Sequence, residues 1–172
     1  MINDKGDPKR EVNKRISESY LTWKRLSEFW KHADCSVRLK LSVYDAVIRA
    51  KLMYGLESVQ INDSLKKKIN AFQFKGLRQI LKISTTYVNR QHSNAYVFEV
   101  ANATINSWHE RRRTPPANPG DPQRFLKRKQ IVPMSEYYEE TRRHLIVKIL
   151  SAHPRDPIRQ ICVDEDTWEL KE

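Results

Sequence analysis

Apolar side chains recur every three or four positions through residues 11–32. This spacing lies close to the 3.6 residues of an α-helical turn and predicts an amphipathic helix ending near Ala33. Lysine and arginine lie mostly off the apolar stripe, and the preceding residues 1–10 are polar and predict an N-terminal tail. The stripe consists of Val12, Ile16, Tyr20, Trp23, Leu26, Phe29 and Trp30.

A second helix is predicted to start at Ser36, and Gly55 stands where a helix C-terminus accepts a positive φ. The expected apolar stripe of this helix is Leu39, Val43, Val47 and Leu52, widened by Tyr44, Ile48 and Met53. Asp63 and Ser64 are candidate N-caps of a third helix. In that helix Gly76 either costs about 1 kcal/mol relative to alanine or allows another helix to pack closely. Its apolar positions are Leu65, Ile69, Phe72, Ile80 and Leu81, flanked by Phe74 and Leu77.

The second half of the chain is divided by prolines. Residues 84–93 are polar and predict a loop. Residues 93–111 predict a fourth helix, whose apolar side consists of Val97, Val100, Ala101, Ile105 and Trp108. Four prolines between positions 111 and 123 predict a linker. A last helix is predicted from Ser135 to Ala152, with Pro154 and Pro157 ending it.

No alternation of apolar and polar residues is long enough to build a sheet, so the predicted fold class is all-α. We expect a small helical bundle over residues 11–110, a proline-rich linker at 111–123, and a basic segment at 124–172 with one further helix. The end of that segment, residues 164–172, is acidic and is expected to pack loosely.

The net positive charge of the chain indicates which kinds of binding partner to expect. The 172 residues include 32 Lys and Arg against 21 Asp and Glu, a formal net charge of +11. Such an excess favours a polyanion, either nucleic acid or an acidic membrane surface. No run of about 20 apolar residues could span a bilayer. The two cysteines are far apart and form no CxxC motif, which favours a reducing, intracellular compartment, nucleus or cytoplasm.

Motifs for catalysis are missing from the sequence. A nucleotide polymerase needs paired aspartates to hold two metal ions, and no two aspartates are adjacent. No phosphate-binding glycine loop is present. His32 and Cys35 could share a helix face, but a zinc site needs about four ligands and no other His or Cys is near. We therefore predict no catalytic residue, metal site or cofactor on this chain.

Cationic residues on the predicted helices are the candidate binding residues. Lys66, Lys67 and Lys68 crowd a helix N-terminus, where positive charge opposes the helix dipole, so a phosphate backbone would explain them better than helix stability. The alternative is a solvated face. Tyr20, Trp23 and Trp30 are expected in the core rather than as platforms for bases. The candidate nucleic-acid-binding residues are Lys24, Arg25, Arg38, Lys40, Arg49, Lys51, Lys66, Lys67, Lys68, Lys75, Arg78 and Lys82.

Several motifs occur in an order that resembles one protein family. The segment KLSVYDAVIRAKLMYG, residues 40–55, followed by Leu56 and Glu57, resembles the stretch after the palm of non-LTR (LINE-type) retrotransposon reverse transcriptases. The Arg-Ile and Trp-rich helix before it and AFQFKGLRQILKI, residues 71–83, are similar to the family's neighbouring stretches. So are Thr86 to Arg90, Asn94 and Ala101-Asn102. The resemblance covers about residues 10–105, and a looser Arg-rich similarity covers residues 142–160.

The resemblance implies a thumb-like helical region of an RNA-directed DNA polymerase. In that family the region lies against the template–primer duplex, while the fingers, palm and Mg²⁺-binding aspartates are elsewhere. The chain would then be a non-catalytic fragment that binds RNA or an RNA–DNA duplex and contacts the missing polymerase core. Two alternatives stay open: a helical protein–protein module derived from such an element, and a peripheral membrane binder.

Overall fold

The computed structural model describes residues 7–111 and 130–164, with the side chains of 107–111 left aside. The secondary structure of these residues consists of helices joined by loops, without strand or sheet, so the all-α prediction is confirmed. The predicted linker beyond Arg111, the basic patch at 124–129 and the tail beyond Asp164 lie outside the described residues. The helices are α1 Pro8–Arg25, α2 Ser27–His32, α3 Val37–Val43, a π-helical turn Tyr44–Arg49, α4 Ala50–Met53, a 3-10 turn Leu56–Ser58, α5 Asp63–Leu81, α6 Asn94–Arg111, α7 Met134–Ser151 and α8 Pro157–Cys162.

The first predicted helix is two helices. α1 begins at Pro8, earlier than predicted, because the Asp7 carboxylate accepts a hydrogen bond from the Lys9 N–H at 3.0 Å and proline suits the first helical position. Residues 8–10 are thus helical and not a tail. The helix breaks at Leu26, where the Trp30 indole N–H donates to the Trp23 carbonyl at 3.0 Å. The two indole rings stack with centroids 4.4 Å apart, which holds α2 against α1.

The apolar stripe predicted for the second helix is confirmed at Leu52, Tyr44, Ile48 and Met53 and is wrong at Leu39 and Val47. Leu39 and Val47 are 47% and 38% exposed, whereas the buried side chains on this segment are Leu41, Tyr44, Ile48, Leu52 and Met53. Periodicity could not decide between the two faces, because the buried Tyr44, Ile48 and Leu52 are also spaced by four residues and the π-helical turn Tyr44–Arg49 departs from the 3.6-residue period. The predicted start is confirmed, since the Ser36 hydroxyl accepts from the Leu39 N–H at 3.3 Å.

Both ends of the connection between α4 and α5 follow local chemistry. Gly55 has φ +68°, as predicted for the position after a helix. The N-cap of α5 is Asn62, one residue before the predicted Asp63, and its side-chain oxygen accepts from the Leu65 N–H at 3.0 Å. α5 buries Leu65, Ile69, Leu77 and Ile80 as expected, together with Gln73, which the apolar pattern did not indicate.

Gly76 marks a close approach between α5 and the π-helical turn. A Cβ at this position would stand 2.7 Å from Cε2 of Tyr44, a ring that is only 2% exposed and meets Trp23 edge-on. Of the two explanations considered for Gly76, close packing is therefore the one that the structure supports.

We expect Gly76→Ala to lower the free energy of unfolding by about 1–2 kcal/mol, because the clash with Tyr44 outweighs the better helix propensity of alanine. Ala71→Gly, at an exposed position of the same helix, is the control and measures propensity alone. Urea unfolding checks both variants, and a Gly76→Ala protein more stable than the parent would contradict the close packing.

The segment after the predicted linker belongs to the same core as the first half. Ile131, Met134 and Tyr138 join one hydrophobic cluster with residues of α1, α3, α5 and α6. The Tyr138 hydroxyl donates to the Val59 carbonyl at 2.6 Å and accepts from the Ile61 N–H at 3.2 Å. α7 thus packs on α5 and on the connection that precedes it, so residues 130–151 are part of the bundle.

Amide side chains hold this second segment in place. The Gln73 amide donates to the Val132 carbonyl and accepts from the Met134 N–H, both at 2.8 Å. Asn70 makes the same kind of pair with Ser135, at 2.8 and 3.0 Å, and Asn102 does so with the backbone of Ile131, at 3.1 and 2.7 Å. Ser135, where the sequence predicts the start of this helix, is the second residue of α7 and is bound by Asn70.

The end of the described chain also differs from the prediction. α7 ends at Ser151, close to the expected Ala152, but Pro157 does not terminate a helix. It is the first residue of α8, because the Asp156 carboxylate accepts from the Ile158 N–H at 2.9 Å and caps that helix.

Candidate nucleic-acid interface

Several of the predicted binding cations have partners within the protein. The Lys40 ammonium donates to the Trp30 carbonyl at 3.0 Å. Arg49 pairs with Asp45 at 2.5 Å and lies over the Tyr137 ring, 4.3 Å from its centroid. The Lys40 contact joins α3 to α2, and the Arg49 contact joins the π-helical turn to α7, so each of these cations has a structural role.

Arg78 has a comparable internal role. Its guanidinium donates to the carbonyls of Ser84 and His92, at 2.6 and 2.7 Å, and to the Asn94 side chain at 3.1 Å. The arginine therefore organises the loop between α5 and α6. Arg38 is partly buried and also has an interaction within the chain.

Lys66 differs from the two lysines beside it. Its ammonium forms ion pairs with Glu139 of α7 and with Asp63, the latter at 3.4 Å. The hydrogen bond with Glu139 raises the pKa of Lys66. Lys66 thus helps to join α5 to α7, a structural role that the crowding of three lysines did not indicate, while Lys67 and Lys68 are exposed.

A row of exposed lysines runs along α5 where it borders α1. Lys68 and Lys75 are seven residues apart on α5, which returns to the same side of a helix after roughly 10 Å. The exposed Lys82 is the residue after Leu81, where the helix ends with φ +56°. Lys68 donates to the Asn13 side chain at 2.5 Å, and Lys75 lies 5.9 Å from the centre of the Tyr20 ring. Because Asn13 and Tyr20 are also seven residues apart, α1 and α5 run in the same direction here.

Two lysines of α1 and α2 extend this row. Lys24 lies 5.5 Å from the centre of the same Tyr20 ring, and Lys31 follows it by seven residues. Lys24, Lys31 and Lys75 border one cavity between these helices. We name the five exposed side chains the lysine face: Lys24, Lys31, Lys68, Lys75 and Lys82.

The electrostatic setting of the lysine face favours an anion. Among the residues that the structure describes, none of its five lysines forms an ion pair with a carboxylate. Glu28, the acidic residue between Lys24 and Lys31, lies 3.7 Å from His32 instead. Unpaired ammonium groups on one surface raise the local positive potential, so the face can neutralise several phosphates.

The remaining predicted cations are exposed on other surfaces. Arg25 is one residue from Lys24 and therefore points about 100° away around α1. Lys51 borders a groove of mixed charge that also contains Glu11, Lys14, Arg15 and Glu18. Lys67 is one residue from Lys68 and therefore points about 100° away from it around α5. The structure thus separates the twelve candidates into internal, isolated and clustered cations.

Tyr20 is the aromatic residue that the sequence placed incorrectly. Trp23 and Trp30 are 9% and 6% exposed, which confirms their prediction as core, whereas Tyr20 is 40% exposed. The ammonium groups of Lys24 and Lys75 lie 5.5 and 5.9 Å from the centre of its ring. An exposed ring beside cations offers a surface on which a base can stack. The intervals of seven that bring Asn13, Tyr20, Lys68 and Lys75 together were a signal available in the sequence.

Two further site types were sought. No cluster of three or more His, Cys, Asp or Glu side chains able to hold a metal ion occurs in residues 7–111 and 130–164. Within the same ranges, no helix combines the length and apolar character needed to cross a lipid bilayer.

No protein-family model, curated protein or solved structure matches this chain. The similarity to reverse transcriptases therefore stays a prediction that depends on the motif order alone, and the physical case for a function depends on the lysine face.

Proposed function

We propose that this protein binds RNA or an RNA–DNA duplex through its phosphate backbone, using the lysine face. The observation that carries the proposal is that Lys24, Lys31 and Lys75 border one cavity, with the exposed Lys68 seven residues before Lys75 on α5. Among the described residues, none of these lysines forms an ion pair with a carboxylate. In this proposal the chain corresponds to the thumb-like, non-catalytic region that its motifs resemble, and another region or polypeptide of a retrotransposon polymerase performs nucleotide transfer.

Two physical arguments support a backbone contact rather than a sequence-specific one. Lysine binds phosphate as a point charge on a flexible chain, and it carries no fixed pair of donors for a base edge. Phosphate contacts set the position of a protein on the nucleic acid without selecting a sequence. The arginines that could read bases, Arg49 and Arg78, are held by groups of the protein.

The salt dependence of binding tests the proposal. Each lysine that neutralises a phosphate releases counterions, so about five contacts give a slope of log Kd against log salt near 4 to 5 on a duplex. Affinity should fall by roughly 10²- to 10³-fold between about 50 and 200 mM salt. Fluorescence anisotropy with a labelled RNA–DNA duplex measures it. Binding that is absent at low salt, or unchanged over this range, refutes the proposal.

A second candidate is a helical protein–protein module. The observation favouring it is a set of exposed apolar side chains on the second half of α7 and on α8, Val147, Leu150, Ile158 and Ile161. These lie on elements other than those of the lysine face, so reversing the charge of that face distinguishes the two candidates.

A further inference from the structure

A cavity of about 230 Å³ lies beneath the lysine face, between α1, α2, the π-helical turn and α5. Its apolar lining includes Trp23, Tyr44 and Phe72, and its charged border is formed by Lys24, Lys31 and Lys75. Pockets that bury drug-sized ligands measure roughly 300–1,000 Å³. This one is smaller and suits one aromatic ring system with an anionic group at the entrance.

The tyrosine of the π-helical turn gives the cavity a polar group without a partner. The Tyr44 side chain is 2% exposed, and its hydroxyl has no hydrogen-bond partner among the described residues. The ring tip lies against Gly76, which also lines the cavity. A buried hydroxyl without a partner destabilises a fold. Less than 1 Å² of this oxygen is accessible to solvent, so a ligand in the cavity would have to displace a neighbouring lining group to bond it.

The surroundings of this hydroxyl oppose its ionisation. Burial, and to a lesser degree the charge of Asp45, raise the pKa of Tyr44 far above its ordinary value. A tyrosine hydroxyl is neutral near pH 7 even at its ordinary pKa, and it can donate or accept a hydrogen bond. Nitrogen and oxygen atoms on the edge of a nucleobase are partners of both kinds.

We propose that the cavity holds the base of one unpaired nucleotide, whose neighbouring phosphates lie against Lys24, Lys31 and Lys75. The base enters between Tyr20 and the apolar floor, and a polar atom on its edge bonds the Tyr44 hydroxyl. The inference rests on the proposed function, because the strand that supplies this nucleotide is the one bound by the lysine face. It adds a preference for an unpaired end or bulge over a blunt duplex.

The test compares two short RNA duplexes, one blunt and one carrying a single unpaired 2-aminopurine nucleotide, with free AMP as a third probe. We expect the unpaired duplex to bind more tightly and its 2-aminopurine fluorescence to be quenched. Tyr20→Ala should weaken binding of the unpaired duplex by about 5- to 100-fold, the range of base–aromatic stacking, and leave the blunt duplex nearly unchanged.

Tyr44→Phe isolates the hydroxyl. Removing a buried hydroxyl without a partner should leave the melting temperature unchanged or higher. Binding of the unpaired duplex should nevertheless weaken by about 3- to 10-fold, because one ligand hydrogen bond is lost. Tyr87→Ala is the matched control for Tyr20→Ala, since Tyr87 is 98% exposed and does not line the cavity.

The arms give distinguishable outcomes. If AMP binds and Tyr20→Ala weakens its binding, the cavity is supported as the base site, and a free nucleotide is sufficient to occupy it. Equal binding of both duplexes without AMP binding overturns the inference and leaves the proposed function standing. If the blunt duplex does not bind at low salt, the proposed function is refuted. The binding of AMP, measured separately, then shows whether the cavity accepts a base. Unaltered binding in both tyrosine variants also overturns it.

Discussion

Reversing the charge of three lysines on the lysine face is expected to weaken duplex binding by at least about 100-fold near physiological salt. The variant is Lys24→Glu, Lys68→Glu and Lys75→Glu. Each substitution removes one phosphate contact and adds repulsion, so the salt slope should also fall by about one for each lysine. The fold should persist, because these side chains are exposed and their internal contacts are with Asn13 and Tyr20.

A control with the same change in net charge separates local contact from overall charge. Lys9→Glu, Arg143→Glu and Lys148→Glu lie on exposed positions outside the lysine face and should cost far less affinity. Equal losses in the two triple variants would show that binding depends on net charge alone and would refute the lysine face. If instead a protein partner is found and the first triple variant still binds it, the helical interaction module gains support.

The largest expected effect on stability belongs to Gln73. Its buried amide satisfies the Val132 carbonyl and the Met134 N–H at once. Gln73→Leu keeps the volume but leaves both backbone groups without this partner, which should lower the free energy of unfolding by about 2–3 kcal/mol. For a chain of this size the melting temperature should fall by about 4–12 °C.

Gln79→Leu provides the comparison for this prediction. Gln79 lies on the same helix, but it is exposed, so its substitution should change stability by less than about 0.5 kcal/mol. Thermal unfolding followed by circular dichroism measures both variants. If the two glutamine substitutions have the same effect, the Gln73 amide does not hold the segment that begins α7.

Much of the helical architecture could be predicted from the sequence. Ser36 caps α3 and Gly55 has a positive φ, as their residue types indicated. These features succeed because a cap or a turn depends on atoms within a few residues. Predictions failed at Leu39 and Val47, where the pattern allowed two faces, and at Pro157, which begins a helix as readily as it ends one.

The candidate site shows the same division. From the sequence, the positions of the lysines and their excess over carboxylates were evident, and so was the helix on which each one lies. The sequence did not show which lysines are free to bind a ligand, because Lys66 pairs with Glu139 far along the chain and Lys40 donates to the Trp30 carbonyl. The exposure of Tyr20 likewise depends on how α1 meets α5.

Helix formation and the basic character of this protein were thus determined by the sequence alone, since hydrophobic period, capping and charge are properties of neighbouring residues. Tertiary structure alone decided that Ile131, Met134 and Tyr138 complete the core, that Gly76 admits the Tyr44 ring, and that three lysines and Tyr20 border a common cavity. The physical reason is that burial and pairing are set by contacts between helices, whose partners lie many residues apart and leave no mark in local spacing.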